Sequence, residues 1–262
     1  MALNDIAESG VNKKIELMDH DLGRFAIRAV LAGIYLTLGT AFAGVAGQAV
    51  ESAVPGHGLG ALVFALFFGL GLFSIVILNA ELATGNMMFA SYGATTKQIG
   101  WGKGIWFVVL TTIFNLVGAL LVGLLMSQTA KLGSMDSTHL IATLSEGKLD
   151  KSPWHAFIEA VGANFVVNMA IVGALFAKDF VSKFFVIVPI IAIFVGLGLE
   201  HVIANFSLMS ITMFADSVPE NFTVGNIAIN WLMVWLGNFV GGGLLIGGVY
   251  AWLNKTKYVY KD

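Results

Sequence analysis

The sequence predicts an all-α membrane protein: six membrane segments, the second and fifth broken by polar residues, with the second half of the chain inverted relative to the first. Three observations predict this. Of 262 residues, 57% are hydrophobic and 11% charged, whereas a soluble domain carries roughly 25% charged residues. Apolar runs long enough to cross a hydrocarbon core, which takes ~20 helical residues, follow one another along nearly the whole chain. Two of these runs hold a carboxylate in mid-course, Glu81 and Glu200. An ionisable group at that depth is costly and is kept for a pore, a cavity or a partner.

The elements follow in order. Residues 1–24 form a polar N-terminal segment without the apolar core of a signal peptide. Ile6, Ile15, Leu17 and Met18 suggest a short amphipathic helix within a mostly structural or poorly ordered lead-in. A transmembrane domain is expected over 25–253. Its first span covers 25 to about 50 and stops at the turn-rich stretch 51–60, which contains Pro55. The second starts at Ala61, meets Asn79-Ala-Glu-Leu-Ala-Thr-Gly-Asn86, resumes at Met87 and ends near Gly93. The third covers about 104–126, and a long polar segment follows over 127–153. The fourth covers about 154–177. The fifth runs from 183 to 213 and is interrupted by Glu200, His201 and Asn205. The sixth covers about 227–253, and 254–262 form a tail.

Charge sets the orientation. With the N-terminus inside, all but three of the 14 Lys and Arg residues fall on the cytoplasmic side. Only Lys131, Lys148 and Lys151 lie outside, all between the third and fourth spans. That bias is the positive-inside pattern, so a multi-pass protein of the plasma or inner membrane is expected, with both termini cytoplasmic.

The halves repeat. Glu81 to Asn86 in the second span has the spacing of Glu200 to Asn205 in the fifth. Asn115-Leu-Val-Gly in the third matches Asn238-Phe-Val-Gly in the sixth. Three spans per half is an odd number, so the second half enters the bilayer inverted. Inverted repeats with interrupted helices at matching positions point to a transport site near the midplane.

Other function classes fall away. A net charge of −2 gives no reason to expect nucleic acid, and the absence of cysteine excludes thiolate catalysis and disulfides. The remaining histidines, His20, His57, His139 and His155, lack metal-ligand spacing. No nucleophile motif appears, so an enzyme, a metal or another cofactor is not expected. A membrane-embedded sensor or enzyme using His201 as acid and base is the alternative from another class, but no soluble domain is present to relay a signal. The polar groups at depth are His201, Asn205, Thr84, Asn86, Asn164 and Asn168. Unwound backbone is tolerated there where it lines a cavity, and helix N-termini at such breaks favour anions. Glu81 and Glu200 read as caps on the exposed backbone amides of the breaks, and Asn115 and Asn238 as bridges between helices.

E-L-A-T-G-N in a broken second segment and G-L-E-H-V-I-A-N in a broken fifth resemble the formate/nitrite transporter family, over about residues 24–253. The resemblance implies an aquaporin-like fold, a homopentamer with a pore in each protomer, and passage of small monovalent anions. On the family pattern His201 is the central pore histidine, Thr84 faces it from the other break, and Asn205 closes the second motif. Leu72 and Phe194 fall at the aliphatic and aromatic constrictions. Asn164 contacts the histidine region, and Lys148, sixteen residues before it, is the outer-vestibule lysine. Lys151 lies close to Lys148, so spacing alone does not separate them. Two positions depart from the pattern: Ala83 stands where the family usually has Phe, and Asn168 where it often has Cys.

The expected function is transport of formate or nitrite with proton transfer through His201. The expected partners are the anion, a proton, the lipid bilayer and four further copies of the chain. Alternatives are a hydrosulfide, acetate or lactate channel of the same family, or a neutral-solute aquaporin-like pore. The last expects paired N-P-A motifs, which neither break contains.

Overall fold

A computed structural model describes residues 3–256, and among them every regular element is helical. Met1, Ala2 and residues 257–262 of the expected tail lie outside the described residues. The elements are α1 (Leu3–His20), α2 (Leu22–Ala53), α3 (Leu59–Ile77), α4 (Ala83–Thr95), α5 (Trp101–Met126), α6 (Leu140–Leu149), α7 (Pro153–Phe176), α8 (Phe180–Gly196), α9 (Val202–Met213) and α10 (Val224–Asn238). Helix α10 continues through a π-helical stretch, Phe239–Gly248, into α11 (Val249–Asn254). Five of these runs are long and apolar enough to cross a membrane: α2, α3, α5, α7 and Val224–Asn254. Shorter apolar helices, α8 and α9, occupy the expected fifth segment. Within the second and fifth segments the chain is non-helical only at 78–82 and 197–201, so α3 and α4 are separate helices, as are α8 and α9, and Thr84, Asn86 and Asn205 fall in the second helix of each pair.

Several helices begin before the apolar run does. Asp21, Ser152, Asp179 and Thr223 each accept a backbone N–H three residues on, at the starts of α2, α7, α8 and α10. A side-chain cap satisfies an orphan donor in the first turn, so the helix starts at the cap and not at the first apolar residue. Two helices were not expected as firm elements. In α1 the buried positions Ala7, Val11, Ile15 and Met18 form one stripe at helical spacing, packed chiefly on α4. In α6, inside the stretch expected to be polar loop, Leu140, Ile141, Ala142 and Ser145 are buried against α9 and α2.

The interior holds many polar side chains among its apolar ones, and much of the exterior is apolar. Thr37, Thr40, Thr111, Asn115, Asn164, Asn168 and Asn238 are fully buried, while Leu62, Leu66, Trp106, Leu121 and Leu125 are exposed. That arrangement suits a lipid surround, where exposed polar groups find no partner. Close backbone approach is secured by glycine. A Cβ on Gly118 of α5 would meet the Val30 carbonyl of α2, and one on Gly241 would meet the Val161 carbonyl of α7. Small residues at helix crossings allow this contact in the absence of a hydrophobic drive between helices.

Candidate functional site

The two breaks are built alike. After α3 the chain turns at Asn79 in the left-handed region (φ 52°), and after α8 at Gly198 (φ 68°). In the first turn Asn79 N–H donates to Val76 O (3.4 Å) and Ala80 N–H to Ile75 O (3.0 Å). In the second, Gly198 N–H donates to Val195 O (3.0 Å) and Leu199 N–H to Phe194 O (3.0 Å). Both are Schellman closures, which return loose N–H groups to the last carbonyls of a helix.

Each break then places a buried carboxylate. Glu81 Oε2 accepts from Lys14 Nζ (2.6 Å) and Asn86 Nδ2 (2.9 Å). Glu200, fully buried, accepts at Oε1 from Lys148 (3.0 Å) and Lys151 (2.8 Å), and at Oε2 from Asn205 Nδ2 (2.6 Å). These carboxylates do not cap the break amides, contrary to the sequence expectation. Ala83 N–H donates to Asn115 Oδ1 (2.9 Å) and Val202 N–H to Asn238 Oδ1 (2.8 Å). The same asparagines donate to the carbonyls of Ala29 and Glu81, and of Ala160 and Glu200. A buried carboxylate needs counter-charge, whereas an uncharged amide can serve a backbone N–H and two carbonyls at once.

Between the breaks lies the link that joins them. His201 is the N-cap of α9, and its Nδ1 accepts from Ala204 N–H at 3.1 Å. Its Nε2 lies 2.8 Å from Thr84 Oγ1, in the first turn of α4. With Nδ1 accepting, the neutral ring carries its hydrogen on Nε2 and donates to Thr84, a tautomer assigned from its partners. The N-termini of α4 and α9 therefore converge on one bond. Asn164 Nδ2 donates to Thr84 O (3.2 Å) and Asn238 O (2.8 Å), and Asn168 Nδ2 to Thr84 O (3.3 Å). The Phe194 ring stands 5.7 Å from the His201 ring and meets Phe68 edge-on at 5.9 Å.

A cavity of about 730 Å³ opens on the α1 side, with Lys13, Lys14, Arg28 and Glu81 among its lining and Leu72 and Ile75 among its apolar walls. On the α6 side Lys151 donates to Glu159, Gly198 O (2.7 Å) and Glu200. Burial disfavours the Lys151 ammonium, but the Glu200 and Glu159 carboxylates outweigh this and hold its pKa above the ordinary lysine value.

The structure thus brings His201, Thr84, Asn164 and Phe194 together. Leu72 lines the α1-side cavity. Lys148 sits on Glu200, with its carbonyl held by Asn230 Nδ2 (3.1 Å). The Asn205 Nδ2 is committed to Glu200 and Asn230. Sequence reasoning missed Lys14, Arg28, Ile75 and Asn230. Only the matching of Ile75 to Phe194, at the same place before each break, was open to detection from the repeat.

A family model described as formate/nitrite transporter matches residues 2–252. A probable formate transporter of Methanothermobacter thermautotrophicus is 32% identical over 253 residues, covering 90% of each chain. Among solved structures, an FNT family ion channel superposes with a TM-score of 0.88 at 26% identity, covering 96% of this chain and 98% of its own. A pentameric formate channel with formate bound gives 0.71 at 25% identity, covering 88% and 96%. With a family model spanning nearly all of it and an all-helical fold shared with solved channels, this chain belongs to the formate/nitrite transporter family, whose members transport and do not catalyse.

Proposed function

We propose that the chain carries small monovalent anions, formate or nitrite, across a cell membrane, coupled to a proton handled by His201. The observation that carries this reading is the 2.8 Å contact of His201 Nε2 with Thr84 Oγ1, which joins two helix N-termini next to an apolar constriction. An anion is favoured there by the partial positive charge of both helix ends. The matching hydrogen bonds of the two breaks support an aquaporin-like, six-span inverted repeat, with α3–α4 and α8–α9 as the broken spans. The charge bias of the sequence supports cytoplasmic termini in a plasma or inner membrane. The related pentameric channel supports a homopentamer.

In this reading Lys148 draws the anion towards the site. The Thr84 hydroxyl stands in for lost hydration, and Asn164 holds the Thr84 carbonyl beside it. A bare anion passing Leu72 and Phe194 would incur a large desolvation cost. Imidazolium plus anion gives neutral imidazole plus a small neutral acid, and the acid crosses. A second proton from the side of uptake restores the imidazolium, so one anion and one proton move together. An imidazole ordinarily titrates at about 6.5, within range of this exchange. As described, the ring is in its neutral state, and a proton gained at Nδ1 replaces the bond from Ala204.

Proton flux measured beside formate and nitrite uptake in proteoliposomes tests this. The expected result is pH-dependent, electrically silent uptake that loses its pH dependence in His201→Asn. Uptake that carries net charge and ignores pH would establish uncoupled channel passage instead. Hydrosulfide, acetate and lactate belong in the same panel as rival substrates.

A further inference from the structure

At each break a cation donates to the carbonyl of the turn residue, and at the second break Lys148 Nζ also reaches the next carbonyl, Leu199 O, at 3.4 Å. Arg28 Nη1 donates to Asn79 O at 2.8 Å, and Lys151 Nζ to Gly198 O at 2.7 Å. Both acceptors belong to the left-handed residue of the turn. A helix C-terminus carries partial negative charge, so a cation there is favourably placed. The next amide in each case runs back into the helix, from Ala80 to Ile75 and from Leu199 to Phe194. Each cation is therefore one turn of backbone away from a bulky apolar residue. Phe194 stands against the His201 ring, and Ile75 walls the α1-side cavity next to Leu72.

The two halves reach this arrangement by different side chains. Ala29 and Ala160 correspond, since the carbonyl of each takes the amide of the asparagine at its break. The residues before them are Arg28 and Glu159. Arg28 reaches its carbonyl directly. Glu159 instead holds Lys151, whose three ammonium hydrogens have three acceptors: Glu159, Gly198 O and Glu200. The same carbonyl is thus met by a cation in both halves, although the residue at the matching position has opposite charge. Recruitment of anions alone would not require a cation on the left-handed carbonyl at both breaks.

We propose that Arg28 and Lys151 are positioning residues that pin the two turns and so set how far Ile75 and Phe194 reach into the pathway, which decides the largest carboxylate admitted. This rests on the transport reading above. Losing either cation frees the turn, lets the apolar residue withdraw and admits larger anions.

The test compares wild type, Arg28→Met, Arg28→Lys, Lys151→Met and Lys151→Arg, purified and reconstituted, for uptake of formate and lactate. The expected result is a lactate-to-formate flux ratio raised about tenfold in each methionine variant, the scale of one lost charge-assisted hydrogen bond. The conservative variants R28K and K151R, which keep the cation, are expected to restore the ratio towards wild type. An unchanged ratio with a higher half-saturating formate concentration would show that the cations only recruit anions, and would overturn the proposal. Amide hydrogen exchange over residues 75–81 and 194–200 gives a second readout that needs no transport. Exchange must quicken at the matching break in each methionine variant, and exchange as slow as wild type also overturns the proposal. If wild type moves no formate, the transport reading fails, while the exchange result still decides whether the turns are pinned.

Discussion

Glu200 is the residue on which most charge converges. It is fully buried and shared by Lys148 and Lys151. Removing one lysine leaves it paired; removing both leaves a buried charge alone, a loss of about 3–5 kcal/mol. Lys148→Ala is therefore expected to weaken uptake at low substrate while the thermal midpoint in detergent barely moves. The double variant Lys148→Ala/Lys151→Ala is expected to unfold far earlier than the single effects add up to. Equal, additive shifts would show that the two lysines act independently of Glu200. The pH sign follows from Lys151, whose pKa is raised in the fold. Its contribution is fully present below the ordinary lysine pKa and is lost as pH climbs through the raised value. The Lys151 contribution is thus flat across neutral pH and, as pH rises, falls only in strong alkali, which a series of melts at rising pH would record.

At the level of elements, the half-helices depend on neighbours for their caps. Asn115 of α5 and Asn238 at the end of α10 each serve one amide and two carbonyls. Interhelical hydrogen bonds inside membrane bundles are worth about 0.6–2 kcal/mol each. Asn115→Leu and Asn238→Leu are expected to lower the thermal midpoint by similar amounts, since their bonds match one for one. A large loss from one and none from the other would break the correspondence of the halves. Much of this level was legible. The Glu-to-Asn spacing and the Asn-x-Val-Gly marks located both breaks and both asparagines. The cap assignment was not, because a carboxylate within the break and an asparagine on another helix look equally able to accept until their partners are known.

Across the whole molecule, the α1 side opens into a cavity while Glu159 and Glu200 hold Lys151 on the α6 side. The sequence contains no cysteine, so single introduced thiols report on sidedness without background. Ser9 lines the α1-side cavity, and Ser134 is exposed in the loop before α6. In intact cells an impermeant thiol reagent should label Ser134→Cys and spare Ser9→Cys until the membrane is opened. The reverse pattern would turn the proposed orientation around.

The sequence by itself determined the all-helical membrane class and the positions of both breaks. These are recorded locally: hydropathy over a span, polar residues inside it, and fixed short spacings. The tertiary structure alone decided that α1 and α6 pack as helices, that Lys14 meets Glu81, and that Arg28 meets the Asn79 carbonyl. Those contacts join residues dozens of positions apart. A lysine or arginine next to a span reads the same from sequence whether it faces solvent or completes a buried charge, because its partner is set by packing and not by neighbouring residues.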